Sequence, residues 1–518
     1  MDRLSPEILH MVCNYLSSSD ICSFRLASRT LAQVGECYLV PDLRFYLHGE
    51  ELRRLRGIAG HRGLARHVKS LTYSCDLLDA QDRQHLVSFA WSYAATHCAG
   101  RVRDLYDGTE LKKFVMDLFR AYEADVQAQE EILRKDADVQ CLREVLPKFT
   151  NIKQISIHAN LIQNDTFSQP APQQSVQTQT KGQSKKLAIE QLGDHFMDHM
   201  HPLGCRHMES VLGGLTDVHA ASLQNFYAGS LSWRFFDRDA AEVVQLLRPL
   251  RNIQHLELVI EAALDPHYSL RESVAQCRRV LGSRRGHPLR EALKSMKRLA
   301  TLKISFAHSR SGSSSDTDSP YLAADLADVL EPGHCWGHLR ELHLQGIDTD
   351  RHVLVDMLQL HRGSLEKLSL EDCGLQNTSW QMFLPDVRQH TFLQDFQVSG
   401  VLQGQFEDNT ARSLVAGSQS QSRSERWCLP REEDKYVDYS SLVLKESIND
   451  YCRFGGQRYP GECPLLAATA FTTTTTTTTT MATSMPPRAP APPSVTAATG
   501  HPIDMPATRY WVGKEILV

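Results

Sequence analysis

The sequence predicts an α/β chain in which a short helical N-terminal segment precedes strands and helices that alternate along an arc, followed by a tail that forms no core. Three observations carry this. Apolar residues recur at helical spacing from Leu4 to Tyr38. An apolar triplet at offsets zero, three and five recurs seven times between Val68 and Val398. Nine consecutive threonines, Thr472 to Thr480, lead into a stretch of Pro, Ala and Ser that has nothing to bury.

The first helix starts at Ser5, a capping residue. Pro6 stands in the first turn, where a missing N–H costs nothing, and Glu7 lies near the positive end of the helix dipole. Ile8, Leu9, Val12, Tyr15 and Leu16 give the helix an apolar face. Ser17 to Asp20 ends it and starts a second, with Ile21, Phe24 and Leu26 as its apolar set. Leu31, Val34 and Tyr38 mark a third, with Gly35 as its weak point. About forty residues in tight helices cannot bury all these groups, so a partner or the rest of the chain must cover them.

This stretch resembles an F-box, whose pattern runs Leu-Pro-x-Glu-Ile, a later Leu, Asp-Leu, and Leu-x-x-Val-Ser/Cys-Arg. Leu4, Glu7, Ile8, Leu16, Asp20, Ile21, Ser28 and Arg29 fall in register. The proline is displaced by one place to Pro6, and Leu31 stands where an aromatic is frequent. The resemblance spans residues 4 to about 50, and the segments Tyr38 to His48, Ile58 to His61 and Val68 to Tyr73 are similar to the continuation in fungal F-box proteins. It implies that Leu4, Pro6, Glu7, Ile8, Leu16, Asp20 and Ile21 lie at or near a surface for the Skp adaptor, which links to a cullin and a ubiquitin-conjugating enzyme. The alternative left open is that Ile8, Leu9 or Val12 supports that surface from within.

The apolar triplet is the Leu-x-x-Leu-x-Leu of a leucine-rich repeat strand. It occurs at Val68/Leu71/Tyr73, Ile152/Ile155/Ile157, Ile253/Leu256/Leu258, Leu299/Leu302/Ile304, Leu339/Leu342/Leu344, Leu365/Leu368/Leu370 and Leu393/Phe396/Val398. The last three start 26 and 28 residues apart, a repeat period. Helical stretches at Ala240 to Pro249, Leu322 to Leu330 and His352 to Leu360 lie between strands. The expected fold class is therefore α/β: an N-terminal all-helical F-box, an irregular leucine-rich repeat solenoid and a disordered C-terminal tail. The boundaries are 1–50 for the F-box, 51–149 for a helical linker, 150–400 for the repeats with an insertion at 161–186 and a loop at 309–320, 401–465 for a cap, 466–506 for the low-complexity segment and 507–518 for the tail. Strand side chains alternate, so Lys303, Ser305, His343 and Ser369 are the expected substrate-facing residues.

A net charge of −5 and a pI near 6.5 argue against a nucleic-acid binder. The basic run from Arg53 through Arg54, Arg56, His61, Arg62, Arg66 and His67 to Lys69 lacks interleaved aromatics and reads as a solvated face. Thirteen cysteines without a Cys-x-x-Cys read as reduced intracellular thiols, and no apolar run is long enough to cross a membrane. The expected location is cytoplasmic or nuclear. No phosphate-cradling or nucleophile-elbow motif is present, so the expectation is a receptor without a catalytic centre or cofactor, whose partners are the adaptor, a cullin and a protein substrate. Two alternatives stay open. One is an F-box scaffold or transcriptional cofactor acting without a cullin. The other is a metal-dependent enzyme using His195, Asp198, His199, His201, Cys205 and His207, a spacing with zinc-ligand potential.

Overall fold

The computed structural model describes residues 4–74, 108–158, 201–262, 269–307, 322–406, 423–431, 434, 439–456, 461–466 and 468. These belong to a unit spanning Met1–Thr469. The insertion at 161–186, the loop at 309–320 and the threonine-rich tail lie outside the described residues.

Helices α1 (Pro6–Cys13), α2 (Ser18–Ala27) and α3 (Arg29–Glu36) come first. Strand β1 (Asp42–Tyr46), α4 (Gly49–Gly60), the short α5 (Arg62–Ala65) and β2 (Ser70–Ser74) follow. Helices α6 (Gly108–Arg134) and α7 (Ala137–Val145) precede β3 (Gln154–His158), and α8 (His201–Gly214) and α9 (Asp217–Ser222) precede β4 (Asn225–Ser232). Then come α10 (Ala240–Leu247), β5 (His255–Glu261), α11 (Leu270–Leu281), α12 (Pro288–Lys294) and β6 (Thr301–Ala307). Strand β7 (Ala324–Asp325) and α13 (Leu326–Val329) lead to β8 (Glu341–Gln345) and β9 (Ile347–Asp350). Helix α14 (Arg351–Leu360) leads to β10 (Lys367–Glu371) and β11 (Gly374–Gln376). The last elements are α15 (Trp380–His390), β12 (Asp395–Phe406), β13 (Arg423–Leu429) and α16 (Tyr439–Cys452).

Among the described residues the strands join one 13-stranded sheet. Nine of them, in the order β1-β2-β3-β4-β5-β6-β8-β10-β12, are parallel throughout. The register lines up whole rows of side chains. Leu43, Leu71, Ile155, Phe226, Leu256, Leu302, Leu342, Leu368 and Phe396 stand side by side, each at most 1% exposed. Two residues further on, a second apolar row runs from Phe45 and Tyr73 to Leu370 and Val398. Burying side chains of this size contributes roughly 1.5–3 kcal/mol apiece, so these rows are the core of the fold.

Three strands turn a corner into a second layer. The chain bends at Gly346 (φ 71°), Asp372 (φ 49°) and Gly400 (φ 73°), and continues as β9, β11 and the second half of β12, which pair in parallel with β7 and antiparallel with β13. The corners are tied together, because the Gly346 N–H donates to the Glu371 carbonyl at 3.0 Å and the Asp372 N–H to the Ser399 carbonyl at 3.1 Å.

This architecture corrects the expected fold class. The chain does not form an all-helical F-box followed by a leucine-rich repeat solenoid; it forms one large, mainly parallel α/β sheet. All seven apolar triplets do fall on strands, with the first residue of each buried just ahead of its strand. That pattern is the inward period of any strand with an apolar plug before it, and it carries no information about repetition. Sheet neighbours start 26 residues apart from Glu341 to Lys367 but 84 apart from Ser70 to Gln154, so the spacing is not constant along the sheet. Nor is the N-terminal segment all helical, since β1 lies inside it and pairs with β2 through Leu43 and Phe45. The stretch read as a helix from Leu322 to Leu330 instead holds β7 and the one-turn α13.

Candidate functional site

The three N-terminal helices have a small core of their own: Leu9, Cys13, Leu31 and Val34, with Phe24 and Tyr38 packed against it. Ser17 Oγ accepts the Asp20 N–H and Ser28 Oγ the Leu31 N–H, each at 3.2 Å, which caps α2 and α3. The Tyr38 hydroxyl donates to the His10 carbonyl at 3.1 Å and so ties the end of α3 to α1. Gly35 is where α2 and α3 meet, because a Cβ there would lie 2.5 Å from Arg25 Cγ. The residue expected to weaken the third helix is what allows it to pack.

With Leu9 and Cys13 turned inward, α1 and its flanks carry a second apolar stripe facing out. Leu4, Ile8, Met11 and Tyr15, spaced by four, three and four residues, are 45%, 44%, 57% and 82% exposed. Leu26 on α2 is also exposed. Of the residues expected at an adaptor surface, Leu4, Pro6, Glu7, Ile8 and Asp20 are exposed, Leu16 is half-buried and Ile21 is buried. Met11, Tyr15 and Leu26 were not among them. The signal that finds them is a helix with apolar residues on two opposite faces, one more than its own core needs. The Glu7 carboxyl is held below its ordinary value, first by its own backbone N–H and then by the Ser5 hydroxyl.

The second candidate surface is the polar face of the sheet. Between the two apolar rows lies a polar one in unbroken register: Arg44, Thr72, Ser156, Tyr227, Glu257, Lys303, His343, Ser369 and Gln397. Lys303, His343 and Ser369, expected to face a substrate, are consecutive members of it, and Ser305 stands one pair further on beside Gln345. Glu257 is the charged neighbour of Lys303 that was not among the expected residues. Lys303 Nζ lies 3.9 Å from Glu257 Oε2, and Lys367 Nζ lies 3.1 Å from Glu341 Oε1. His343 sits between these pairs, its Nε2 4.0 Å from Glu341 Oε2. That Nε2 is buried and has no hydrogen-bond partner among the described residues.

Electrostatics sharpen the picture. Burial, followed by the charge of Lys303, pushes the His343 imidazole down to about 4, against the opposing pull of Glu341. Burial raises Glu257, opposed by Lys303, and burial lowers His255 in the adjacent row. The centre of this face therefore presents a neutral imidazole with an unused nitrogen between two acid–base pairs. It suits hydrogen bonding to a polar chain.

Of the cluster behind the metal-site alternative, Cys205 and His207 have described side chains. His195, Asp198 and His199 lie outside the described residues. Cys205 and His207 stand two apart on α8, a spacing that points side chains in different directions. The Cys205 thiol lies 3.9 Å from the Ser232 carbonyl and burial pushes it up to about 11, while His207 is buried edge-on to Tyr73 at 4.9 Å. Among the described residues no three His, Cys, Asp or Glu side chains are grouped to hold a metal ion, and no helix is long and apolar enough to cross a membrane.

No known protein family matches the chain, and no curated protein matches it.

Proposed function

We propose that the chain is an F-box-type substrate-recognition subunit of a Skp/cullin ubiquitin ligase, acting in the cytoplasm or nucleus. One observation carries the reading: α1 and its flanks satisfy their own core with Leu9 and Cys13 and still expose Leu4, Ile8, Met11 and Tyr15. Covering each of these half-exposed side chains contributes on the order of 1–2 kcal/mol, which is what an adaptor groove would supply. The resemblance of residues 4–31 to the F-box pattern supports the same partner. A protein target is assigned to the polar face around Lys303, Ser305, His343 and Ser369, where paired charges and a free imidazole nitrogen favour a polar segment.

A receptor of this kind transfers nothing itself. It raises the effective concentration of target lysines near a charged conjugating enzyme.

The test is co-purification of full-length chain with the Skp adaptor and cullin, compared with an Ile8→Asp, Met11→Asp variant. Both residues are exposed, so the fold should survive while a buried unpaired charge abolishes docking. Both partners on the unmutated chain alone support the reading. Equal recovery on the variant sinks it, and adaptor without cullin favours a scaffold.

A further inference from the structure

The basic run between Arg53 and Lys69 divides in the folded chain. Arg54 pairs with Glu51 at 2.6 Å and Arg56 with Glu144 at 3.0 Å, which accounts for two of its cations. Arg66 and Lys69 are different. They line a cleft of about 400 Å³ together with His67, Asn151 and Lys153, the last brought in from 84 residues further along the chain.

Lys69 and Lys153 lead into neighbouring parallel strands, the Lys153 N–H donating to the Lys69 carbonyl at 2.8 Å. Strands so paired lie about 4.8 Å apart, and like charges at matched positions on them repel. Further along the same edge the chain neutralises such a position, with Arg340 lying 3.6 Å from Glu366. Among the described residues no carboxylate forms an ion pair with Arg66, Lys69 or Lys153. Glu36 lies 3.8 Å from His61 and its charge also acts on His67, while Asp217 lies 3.8 Å from Arg248 and 3.9 Å from Arg251.

Arg66 is also held in place. Arg66 Nε donates to His67 Nε2 at 3.0 Å, and Asn151 Nδ2 donates to the Arg66 carbonyl at 2.7 Å. Burial and then the charge of Arg66 keep the His67 ring below its ordinary value, in the neutral form that accepts that bond.

We propose that this cleft binds a single phosphomonoester dianion, with Arg66, Lys69 and Lys153 as its charge partners. Three cations exceed what one carboxylate neutralises, and a phosphate group offers several acceptor oxygens to them. No Phe, Tyr or Trp side chain lines the cleft, so it lacks the large flat rings that stack nucleobases most strongly. This inference is independent of the adaptor reading.

The experiment is calorimetric titration of the full chain, at constant ionic strength, with inorganic phosphate, a phosphoserine tripeptide and a single-stranded oligonucleotide. Saturable one-to-one phosphate binding, weakened about tenfold by Lys69→Gln and by Lys153→Gln but unchanged by Arg56→Gln, supports the proposal. Tighter binding of the tripeptide than of inorganic phosphate identifies a phosphorylated side chain as the source, and equal binding a free phosphate. Absence of saturable binding, insensitivity to both lysine substitutions, or preference for the oligonucleotide overturns it. Both lysines are exposed, and an unchanged melting temperature verifies that the variants fold.

Discussion

The buried Glu425 carboxylate accepts the Trp380 backbone N–H at 2.6 Å and so caps the first turn of α15 from a strand 45 residues away. Its other oxygen accepts the Trp427 indole N–H at 2.6 Å. The approach is close enough that a Cβ on Gly404 would lie 2.6 Å from the carboxylate. Glu425→Ala leaves the capped N–H groups buried and unsatisfied, at a cost of about 3 kcal/mol. Chemical denaturation measures this, and a loss of only a few tenths would show that the cap is dispensable.

The same carboxyl gives a pH dependence of known sign. Burial raises Glu425 above its ordinary value, opposed by the bonds from Trp427, Trp380 and Gln381. A raised group favours its protonated form in the folded chain, so its contribution is full below about pH 4 and is lost as pH climbs through the folded value. Glu425→Gln removes this dependence. The stability of the variant relative to the unmutated chain should therefore improve between pH 4 and pH 7, and a constant difference would contradict the assignment.

Gly346 occupies the corner between β8 and β9 at φ 71°, where a Cβ would lie 2.7 Å from the Phe306 carbonyl oxygen. Gly346→Ala therefore meets both a left-handed backbone and a fixed backbone neighbour, and should cost about 2 kcal/mol or more. By contrast, Gly333, also at positive φ, has open space around it, and its alanine variant should lose less. Equal losses in paired denaturation curves would remove the close contact as the cause.

The edge of the parallel sheet at β12 is covered by α16. Asn449, 2% exposed, uses its Oδ1 to accept the Val398 N–H at 3.2 Å, and Arg453 pairs with Asp395 at 2.7 Å. An uncovered strand edge is a template for pairing with another chain. Asn449→Ala should release the Val398 amide to hydrogen exchange before the core amides of β8 and β10, and unchanged protection at Val398 would refute the capping role.

His343 should stay neutral through the physiological range. Its lowered value means that the stability it contributes is present above about pH 6.5 and is lost as pH falls toward about 4. Its imidazole resonances should therefore move below pH 5 and be flat between pH 6 and 8. A midpoint near 6.5 would mean that the centre of the polar face is fully solvated.

The strand triplets were legible because their information is local. A residue such as Leu342 or Leu344 faces inward by strand period alone, whichever neighbour it meets. Strand β4 was less legible, because Phe226 is followed by Ala228 and by a register shift between Ala228 and Leu231 that breaks the alternation. Strands β7, β9 and β11 have two to four residues, too short for a period, and they exist because the corners at Gly346 and Asp372 redirect the chain. The outward stripe Leu4, Ile8, Met11 and Tyr15 was only half visible, since spacing reveals an apolar face but not which of two faces packs inward.

By itself the sequence determined where apolar and polar side chains alternate, where the first helix begins, and that Lys303, His343 and Ser369 point away from the core. These depend on residues within a few positions of one another. Only the tertiary structure decided that the strands share one continuous register, that Glu257 stands beside Lys303, and that Lys153 joins Arg66 and Lys69 at one cleft. Those neighbours lie 46 and 84 residues apart in the chain, and hydrogen bonding between strands, not local spacing, brings them together.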